Sequence, residues 1–498
     1  MIRATYLGCT AALACLAACA VGPNFKAPEA PHTSGFAPPG AIPSELGAEQ
    51  SRGLPAQHFV DGLDIPGQWW TLFKSEPLNV LIERAMANSP TLEAAAAALR
   101  QANETLAAGR GSYYPSVSGQ AGVQRQKVPG ATFGAAVPSI IYTLNNATLN
   151  VSYTLDAFGG IRRQVESLGA QAEYERFALE AAYLSLTANL VTAAITEASL
   201  RAQMAATQDI ADSQRKQLEI TQRRLTAGGA SRADVLQQQA VLQSTLAALP
   251  LLRTQLAQQR NLLAAYSGAL PADYDGAEFT LESLTLPGEI PLSLPSKLVE
   301  QRPDVREFSA LLHQATAQIG VATANMLPQI TLSGSYGGEA TSFSNVFSPA
   351  SVVWSLAASA TQPIFKGGQL LHQRRAAVAA AEEAAANYRG TVITAFQNVS
   401  DTLHALKGDV DALEAQSLAE QTAAESLKLV QVQYKSGASN YLQVLSAEQT
   451  YQTAAVALVK AKAQRYADTA ALFQALGGGW WNRSDVAANT LDSRKEPL

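Results

Sequence analysis

The chain of 498 residues carries one structural pattern twice, and this repeat is the strongest limit on what it can fold into. Three landmarks recur in the same order in both halves: Asn88–Leu92 and Gln301–Val305, Tyr114–Val117 and Leu327–Ile330, and Leu225–Gly228 and Tyr434–Gly437. The two copies of each landmark lie roughly 210 residues apart, as expected for a duplicated structural unit. Because neither copy could close a sheet or complete a core alone, the repeat predicts an assembly rather than a self-contained enzyme.

The N-terminus predicts export and a lipid anchor. Met1-Ile2-Arg3 supplies a positive charge, an apolar run covers Ala11–Ala18, and Leu16-Ala17-Ala18-Cys19 has the pattern of a bacterial lipobox. We therefore expect residues 1–18 to be a signal peptide and Cys19 to carry a covalent lipid, with Ala20 favouring the outer membrane. The simpler alternative is an ordinary cleaved signal that a cysteine happens to follow.

The remaining composition excludes several classes of function. Cys9 and Cys15 leave with the signal, so the mature chain keeps one cysteine and cannot form an internal disulfide. A net charge of −5 without a basic cluster provides no electrostatic footprint for nucleic acid. Beyond the signal we expect no run of about 18 apolar residues that could form a spanning helix. If the mature chain crosses a membrane, it should do so with strands.

The composition divides the chain into a signal, an arm, two repeats and a tail. The expected bounds are residues 1–18, 19–66, 67–290, 291–477 and 478–498. The arm is rich in Pro, Gly and Ser and predicts a lipidated, extended linker. Trp69-Trp70 begins the folded part and is expected to anchor packing. The proline-rich segment Leu286–Pro295 joins the repeats.

Each repeat contains two alternating segments that predict β-strands. They cover about residues 113–126 and 147–157 in the first repeat, and 327–340 and 351–365 in the second. Apolar residues such as Val123 and Leu356 alternate with small polar ones, which is the period of a half-buried strand. The apolar face would be the core of a soluble sandwich or the lipid face of a membrane barrel. Few strands of about ten residues each favour the barrel.

A long helix is predicted after each strand pair. Gly159-Gly160 and Gly367-Gly368 would let the chain bend tightly from strand to helix. From Ile161 to about Thr226 the chain has no proline and one glycine, so roughly 65 residues could form a rod of about 100 Å. Apolar steps of four and three predict coiled-coil packing. They occur at Leu179, Tyr183, Leu186 and Leu190, and at Val392, Phe396, Val399 and Leu403.

A short glycine turn then reverses each rod. Gly228-Gly229 precedes Ser231 in the first repeat, and Gly437 precedes Asn440 in the second. Glycine can end a helix in the left-handed conformation, and Ser or Asn can cap the next helix. These turns should therefore form the tips of the rods, at the end opposite the strands.

Four strands cannot close a barrel in a bilayer, because open edges would leave backbone groups unpaired in hydrocarbon. Known spanning barrels begin at about eight strands. Copies of the chain must therefore share one sheet, and both two and three copies remain compatible with the residues.

Several features together resemble the TolC-like outer-membrane efflux channels, and most closely their NodT-type lipoprotein branch. These features are the lipobox with Val21-Gly22-Pro23, Trp69-Trp70, the duplicated strand pair, the Tyr434–Gly437 turn and the ending Ala475–Trp480. The resemblance covers nearly the whole mature chain. It implies an α+β membrane protein, a homotrimer whose twelve-stranded outer-membrane β-barrel continues as a long α-helical coiled-coil periplasmic tunnel.

The resemblance also implies partners and a task. The chain would be the exit duct of a tripartite efflux pump for drugs and other toxic compounds. A periplasmic adaptor would join it to an inner-membrane transporter of the resistance–nodulation–division class. Its barrel would contact outer-membrane lipid.

The residues give no sign of catalysis or of a cofactor. The five histidines show no metal-ligand spacing, at His32, His58, His313, His372 and His404. Neither a phosphate-binding loop nor a nucleophile elbow occurs in the sequence. We expect no enzyme activity, no metal and no cofactor besides the lipid on Cys19, and therefore a passive duct driven by its transporter.

The resemblance places a periplasmic gate just past the tip turns, with candidate residues at Asp234, Tyr434, Gln443 and Ser446. Three copies of Asp234 around an axis would form a carboxylate ring that attracts cations and disfavours anions. The alternative is that Asp234 only occupies the first turn of a helix, where carboxylates are favourable. Gln443 and Ser446 stand where the family often carries acids.

Two other functions remain open at the level of sequence. The outer-membrane duct of a type I protein secretion system would have the same fold. A periplasm-spanning structural lipoprotein would tether membranes without transport, although a tether has no need of four amphipathic strands.

Overall fold

The computed structural model describes residues 20–31, 33, 35–43, 45–46, 55–130 and 138–483. The expected signal peptide, the lipidation site Cys19 and residues 484–498 lie outside the described residues. The chain divides into two compact units. The strand unit comprises the described residues within Met1–Pro28, Ala98–Glu175 and Glu307–Tyr388, and the helix unit comprises those within Glu29–Ala97, Arg176–Arg306 and Arg389–Leu498.

Helices and strands follow each other in nearly the same order in the two halves. The α-helices are α1 (Glu76–Asn88), α2 (Pro90–Arg110), α3 (Gly160–Thr226), α4 (Arg232–Tyr266), α5 (Pro295–Gln301), α6 (Pro303–Ala324), α7 (Gln369–Lys435) and α8 (Tyr441–Ala475). The strands are β1 (Glu45–Leu46), β2 (Gln57–Asp61), β3 (Ser116–Val128), β4 (Ile140–Leu155), β5 (Glu289–Leu292), β6 (Gln329–Ala340) and β7 (Val352–Thr361).

The strand unit contains an antiparallel sheet in the order β3-β4-β6-β7. The four predicted strand segments are all present; β3 and β6 differ from their predicted bounds by two or three residues, and β4 and β7 by more. β4 begins at Ile140 rather than near residue 147, because it pairs along the whole of β3 as far as Val128. β7 ends at Thr361, where its pairing with Gln329 of β6 ends. β3 and β7 are the two edges of this sheet.

The apolar face of the sheet is exposed. Val123 is 70% exposed, Trp354 71% and Leu356 84%. Apolar side chains of a soluble sandwich would be covered by a second sheet. No second layer of described residues covers this face, so the sheet has the surface that a membrane barrel presents to lipid.

The helix unit contains a second sheet, in the order β1-β2-β5, which the sequence did not indicate. β2 pairs in parallel with β5, from His58 opposite Glu289 to Asp61 opposite Leu292. The expectation that residues 19–66 form only an extended linker is therefore wrong for the segments that β1 and β2 occupy. β2 pairs with a strand more than 200 residues away, which local composition cannot reveal, and β1 pairs in turn with β2.

An aromatic core lies in the helix unit. The prediction that Trp69-Trp70 anchors packing is confirmed, because the two side chains are 1% and 3% exposed. The ring of Trp69 lies 5.5 Å from that of Phe473 in α8. The beginning of the expected tail is also packed, since Trp480 Nε1 donates to the carbonyl of Gln301 at 2.6 Å.

The predicted rods are present and match in length. α3 and α7 have 67 residues each, and the return helices α4 and α8 have 35 each. At 1.5 Å per residue, each rod is about 100 Å long. Residues at the predicted seam are buried, including Leu186, Leu190, Val399 and Leu403.

One helix contradicts the expectation that no apolar stretch beyond the signal could span a membrane. Among the described residues, α3 has an 18-residue window with a mean hydropathy of 1.3. Half of this window is buried within the chain. A core helix has the same composition, so this window is weak evidence for a spanning segment.

Candidate functional site at the helix tips and the N-terminal junction

The tip turns are built around glycines in the left-handed conformation. Gly228 has φ +76° and Gly437 has φ +80°, a region that side chains with a Cβ disfavour. Gly229 lies outside this region, and its amide donates to the carbonyl of Arg224 at 2.7 Å. The predicted glycine turns are therefore present at the ends of α3 and α7.

Two of the candidate gate residues complete helix caps. Asp234 accepts a hydrogen bond from the Ser231 amide at 2.8 Å, while the Ser231 hydroxyl accepts from the Asp234 amide at 3.2 Å. Gln443 accepts from the Asn440 amide at 3.2 Å, and the Asn440 side chain accepts from the Gln443 amide at 3.0 Å. Both repeats thus contain a capping box, which stabilises the first turn of α4 and α8.

Tyr434 occupies a different environment, because it is buried at the tip. Its ring lies 5.2 Å from the ring of Tyr441, and the guanidinium of Arg224 lies 4.4 Å from its centroid. Burial raises the pKa of the Tyr434 hydroxyl; the charge of Arg224 opposes this shift and that of Asp234 adds to it. Tyr434 therefore holds the end of α7 against the end of α3 and the start of α8.

A buried polar cluster, here called the tip cluster, continues from this ring pair. It consists of Tyr441, Gln238 and Glu448. The Tyr441 hydroxyl donates to Gln238 Oε1, and Gln238 Nε2 lies 3.2 Å from the carbonyl of Gln214 and 3.5 Å from Glu448 Oε2. Burial raises the pKa of Glu448 to about 7, against the opposing hydrogen bond from Gln238. The cluster joins the two repeats close to the tips.

Sequence reasoning missed Gln238 and Glu448. The signal was present for Glu448, because Tyr441, Leu445 and Glu448 follow steps of four and three along α8. Glu448 therefore lies on the buried face of its helix. Ser446, which was a candidate, is exposed on another face of α8.

The strand-to-helix bends lie in the strand unit. Gly159, Gly367 and Gly368 have positive φ, as expected for tight bends, whereas Gly160 does not. Asp156 caps α3, because its two carboxylate oxygens accept from the amides of Ile161 and Arg162, each at 2.9 Å. A side chain at Gly159 would collide with Ala20, whose Cα lies 2.6 Å from the position of an added Cβ.

The first described residues are held firmly at this bend. The Val21 amide donates to the Phe158 carbonyl at 3.0 Å. Arg163 is 4% exposed on its side chain and donates to the carbonyls of Val21 and Gly22 and to Asn24 Oδ1, at 3.2, 3.3 and 2.6 Å. The residue directly after Cys19 therefore lies against the junction of β4 and α3.

Comparison with known proteins identifies the family. The sequence pattern of the family described as outer membrane efflux protein matches residues 81–269 and 294–478, one segment in each half. The chain belongs to the outer membrane efflux protein family. It is 31% identical over 455 residues to the pyoverdine export outer membrane protein OpmQ of Pseudomonas aeruginosa, covering 89% of this chain and 93% of that protein.

Two further similarities specify the branch and the fold. The chain is 29% identical over 476 residues to nodulation protein T of Rhizobium leguminosarum bv. viciae, covering 93% of this chain and 92% of that protein. The solved structure of the outer-membrane channel OprN matches with a TM-score of 0.83 and 26% identity, covering 93% of this chain and all of that one. The resemblance to NodT-type channels is confirmed, and the chain is an outer-membrane efflux channel.

Proposed function

We propose that the chain is the passive outer-membrane exit duct of a tripartite efflux pump. The observation that carries the proposal is a four-stranded sheet with an exposed apolar face and two open edges, in one chain with two rods of 67 residues. Pairing β7 of one copy with β3 of the next removes the open edges. The rods would continue the wall of the duct into the periplasm.

Three copies together would form a barrel of twelve strands. Each copy would also contribute four long helices to the tunnel wall. Exposed apolar side chains along α7 support burial against a neighbouring copy or a partner, because Ile393 is 69% exposed and Leu418 58%. The working assembly would be a homotrimer joined by a periplasmic adaptor to an inner-membrane resistance–nodulation–division transporter. The transporter would supply the energy, and the duct would catalyse no reaction.

The lipid on Cys19 would anchor each copy at the membrane boundary. Ala20 lies against Gly159, a few residues after β4 ends at Leu155. An acyl chain on the preceding residue would therefore start close to the ends of the strands. Several chains on one cysteine would give stable anchoring, at about 0.8 kcal/mol per buried methylene.

The gate would lie at the tips, with unequal roles for its four candidates. Tyr434 is buried between helix ends and would lock them, while Ser446 would face outward from α8. Asp234 and Gln443 would act through the capping boxes that fix the starts of the return helices. Opening would then need the tip cluster to separate, since it joins α4 to α8.

The cargo would be small molecules. OpmQ is named for the export of pyoverdine, and this favours an efflux duct over a type I protein secretion duct. Deleting the gene and measuring drug susceptibility tests the proposal directly. We expect increased susceptibility that the wild-type gene restores. Unchanged susceptibility together with the loss of a secreted protein would favour the type I secretion duct instead.

A further inference from the structure

A polar cavity of about 300 Å³ lies in the helix unit next to the tip cluster. Its walls come from α3, α7 and α8, and they include Gln214, Leu427 and Glu448. One water molecule fills about 30 Å³ in the liquid, so the cavity is large enough for a small organic molecule.

Two buried side chains that line the cavity carry polar atoms with no hydrogen-bond partner among the described residues. Gln214 is 1% exposed, and both its amide nitrogen and its amide oxygen are unpaired. Glu448 is 4% exposed, and its Oε1 is unpaired. Buried polar atoms are nearly always hydrogen-bonded, so a site with three such atoms is built to receive a polar partner.

Both charged residues that line the cavity are acidic. Glu448 lies inside, and Asp209 of α3 lies at the exposed side. Burial raises the pKa of the Tyr451 hydroxyl, and the charges of Glu420 and Asp209 raise it further, so both carboxylates lie near this ring. Of the described residues that line the cavity, none is basic.

Apart from Ser213, the rest of the wall is apolar or aromatic. Ile210 and Leu427 contribute aliphatic surface, and Tyr451 contributes a ring. An aromatic face attracts a cation, and aliphatic surface favours a ligand with a compact apolar body. A bare metal ion would leave this surface without a partner, and the described residues contain no group of three or more metal-ligating side chains.

We propose that this cavity binds a small organic cation, a protonated primary amine carried on a compact aromatic or aliphatic body. The ammonium group donates hydrogen bonds to Glu448 Oε1 and to the amide oxygen of Gln214. The body of the ligand packs against Ile210 and Leu427. Because Gln214 belongs to the first repeat and Glu448 to the second, a bound amine adds hydrogen bonds between the two repeats close to the tips.

The test is a calorimetric titration of the purified full-length protein with para-bromophenethylammonium at pH 8. Glu448, whose pKa is about 7, is mostly ionised at this pH. We expect saturable binding, and binding of the neutral para-bromophenethyl alcohol that is weaker by about tenfold or more. In crystals soaked with the ammonium compound, the anomalous signal of bromine should lie in the cavity.

Two variants test separately the charge of Glu448 and the free volume of the cavity. Glu448→Gln keeps the shape of the side chain and should weaken binding by about tenfold or more, because it removes the charged acceptor. Ala455→Phe fills the cavity from its wall without changing any charge and should abolish binding. The exposed Glu219→Gln on α3 loses the same charge outside the cavity and should bind like the wild type.

Several results would overturn the proposal. They are equal binding of the alcohol and the ammonium, unchanged affinity in Glu448→Gln or Ala455→Phe, and the absence of saturable binding to the wild type. A bromine signal elsewhere, or a cavity filled by a side chain of a neighbouring copy, would overturn it as well.

Discussion

Replacing Arg465 with Met should release the N-terminal arm from α8. Arg465 is fully buried, and its guanidinium makes three of the hydrogen bonds that hold the arm. It donates to Gln57 Oε1 at 3.0 Å and to the carbonyls of Leu46 and Pro55 at 3.1 and 3.2 Å. Met fills similar volume but donates to none of these acceptors.

The size of the effect follows from these three acceptors. A buried acceptor that loses its donor costs about 1–3 kcal/mol. The total is reduced because the buried guanidinium is itself costly: burial lowers its pKa, and its Nη1 has no hydrogen-bond partner among the described residues. We therefore expect the free energy needed to open the arm to fall by about 3 kcal/mol. This corresponds to a roughly hundredfold increase in the equilibrium constant for opening.

Hydrogen exchange followed by mass spectrometry measures this opening. The amides of His58 and Gly62 donate to the carbonyls of Gly288 and Leu292, at 2.7 and 2.9 Å, and should exchange faster in Arg465→Met. The matched control is Lys460→Met, which removes an exposed cation from the same helix and should leave exchange unchanged. Equal exchange of this segment in the two variants would refute the argument, provided that peptides of α3 show the variants to be folded.

Three further predictions concern the gate, the anchor and pH. Asp234→Ala should raise single-channel conductance in planar bilayers, with the exposed Glu219→Gln as control; unchanged conductance would leave Asp234 as a helix cap alone, a contact worth about 1 kcal/mol. Cys19→Ser should abolish labelling with radioactive palmitate, and labelling that persists would contradict the lipobox. Burial, reinforced by Asp468, raises the pKa of Asp409 from 3.8 to about 8. The folded chain therefore keeps a proton that the unfolded chain releases, so stability should fall as pH rises from about 4 to about 8. Asp409→Asn should flatten this dependence of the melting temperature on pH, and an unchanged slope would assign it to other groups.

The repeat made much of the fold predictable. Strand alternation, helix periodicity and the glycines at 228 and 437 are local signals, and each corresponds to an element of the structure. Matched rods of 67 residues and matched return helices of 35 residues follow from duplication of these signals. The predicted start of β4 was less accurate, because β4 extends as far as its pairing with β3 continues, and the local sequence does not show this.

The candidate site was predicted only in part. The sequence predicted the tip turns and the place of Tyr434 beside one of them. It could not show whether Asp234 belongs to a ring of carboxylates around the axis of the assembly or only caps the start of a helix. The hydrogen bond from the Ser231 amide, at 2.8 Å, shows that Asp234 caps α4, and its role in a gate stays a prediction. Gln238 and Glu448 were missed because polar residues in a helix are normally exposed, and only packing between two repeats buries them.

The sequence by itself determined the duplication, the four strands of the larger sheet, the rods and the tip turns, because each depends on residues that are neighbours along the chain; the export signal stays a prediction. Only the tertiary structure decided which distant segments meet. β2 pairs with β5 and Arg465 reaches the arm across some 400 residues, and neither contact has a periodic pattern. The same holds for the cavity beside Glu448, whose walls come from both halves of the chain. Its character depends on which polar atoms the packing leaves without a partner.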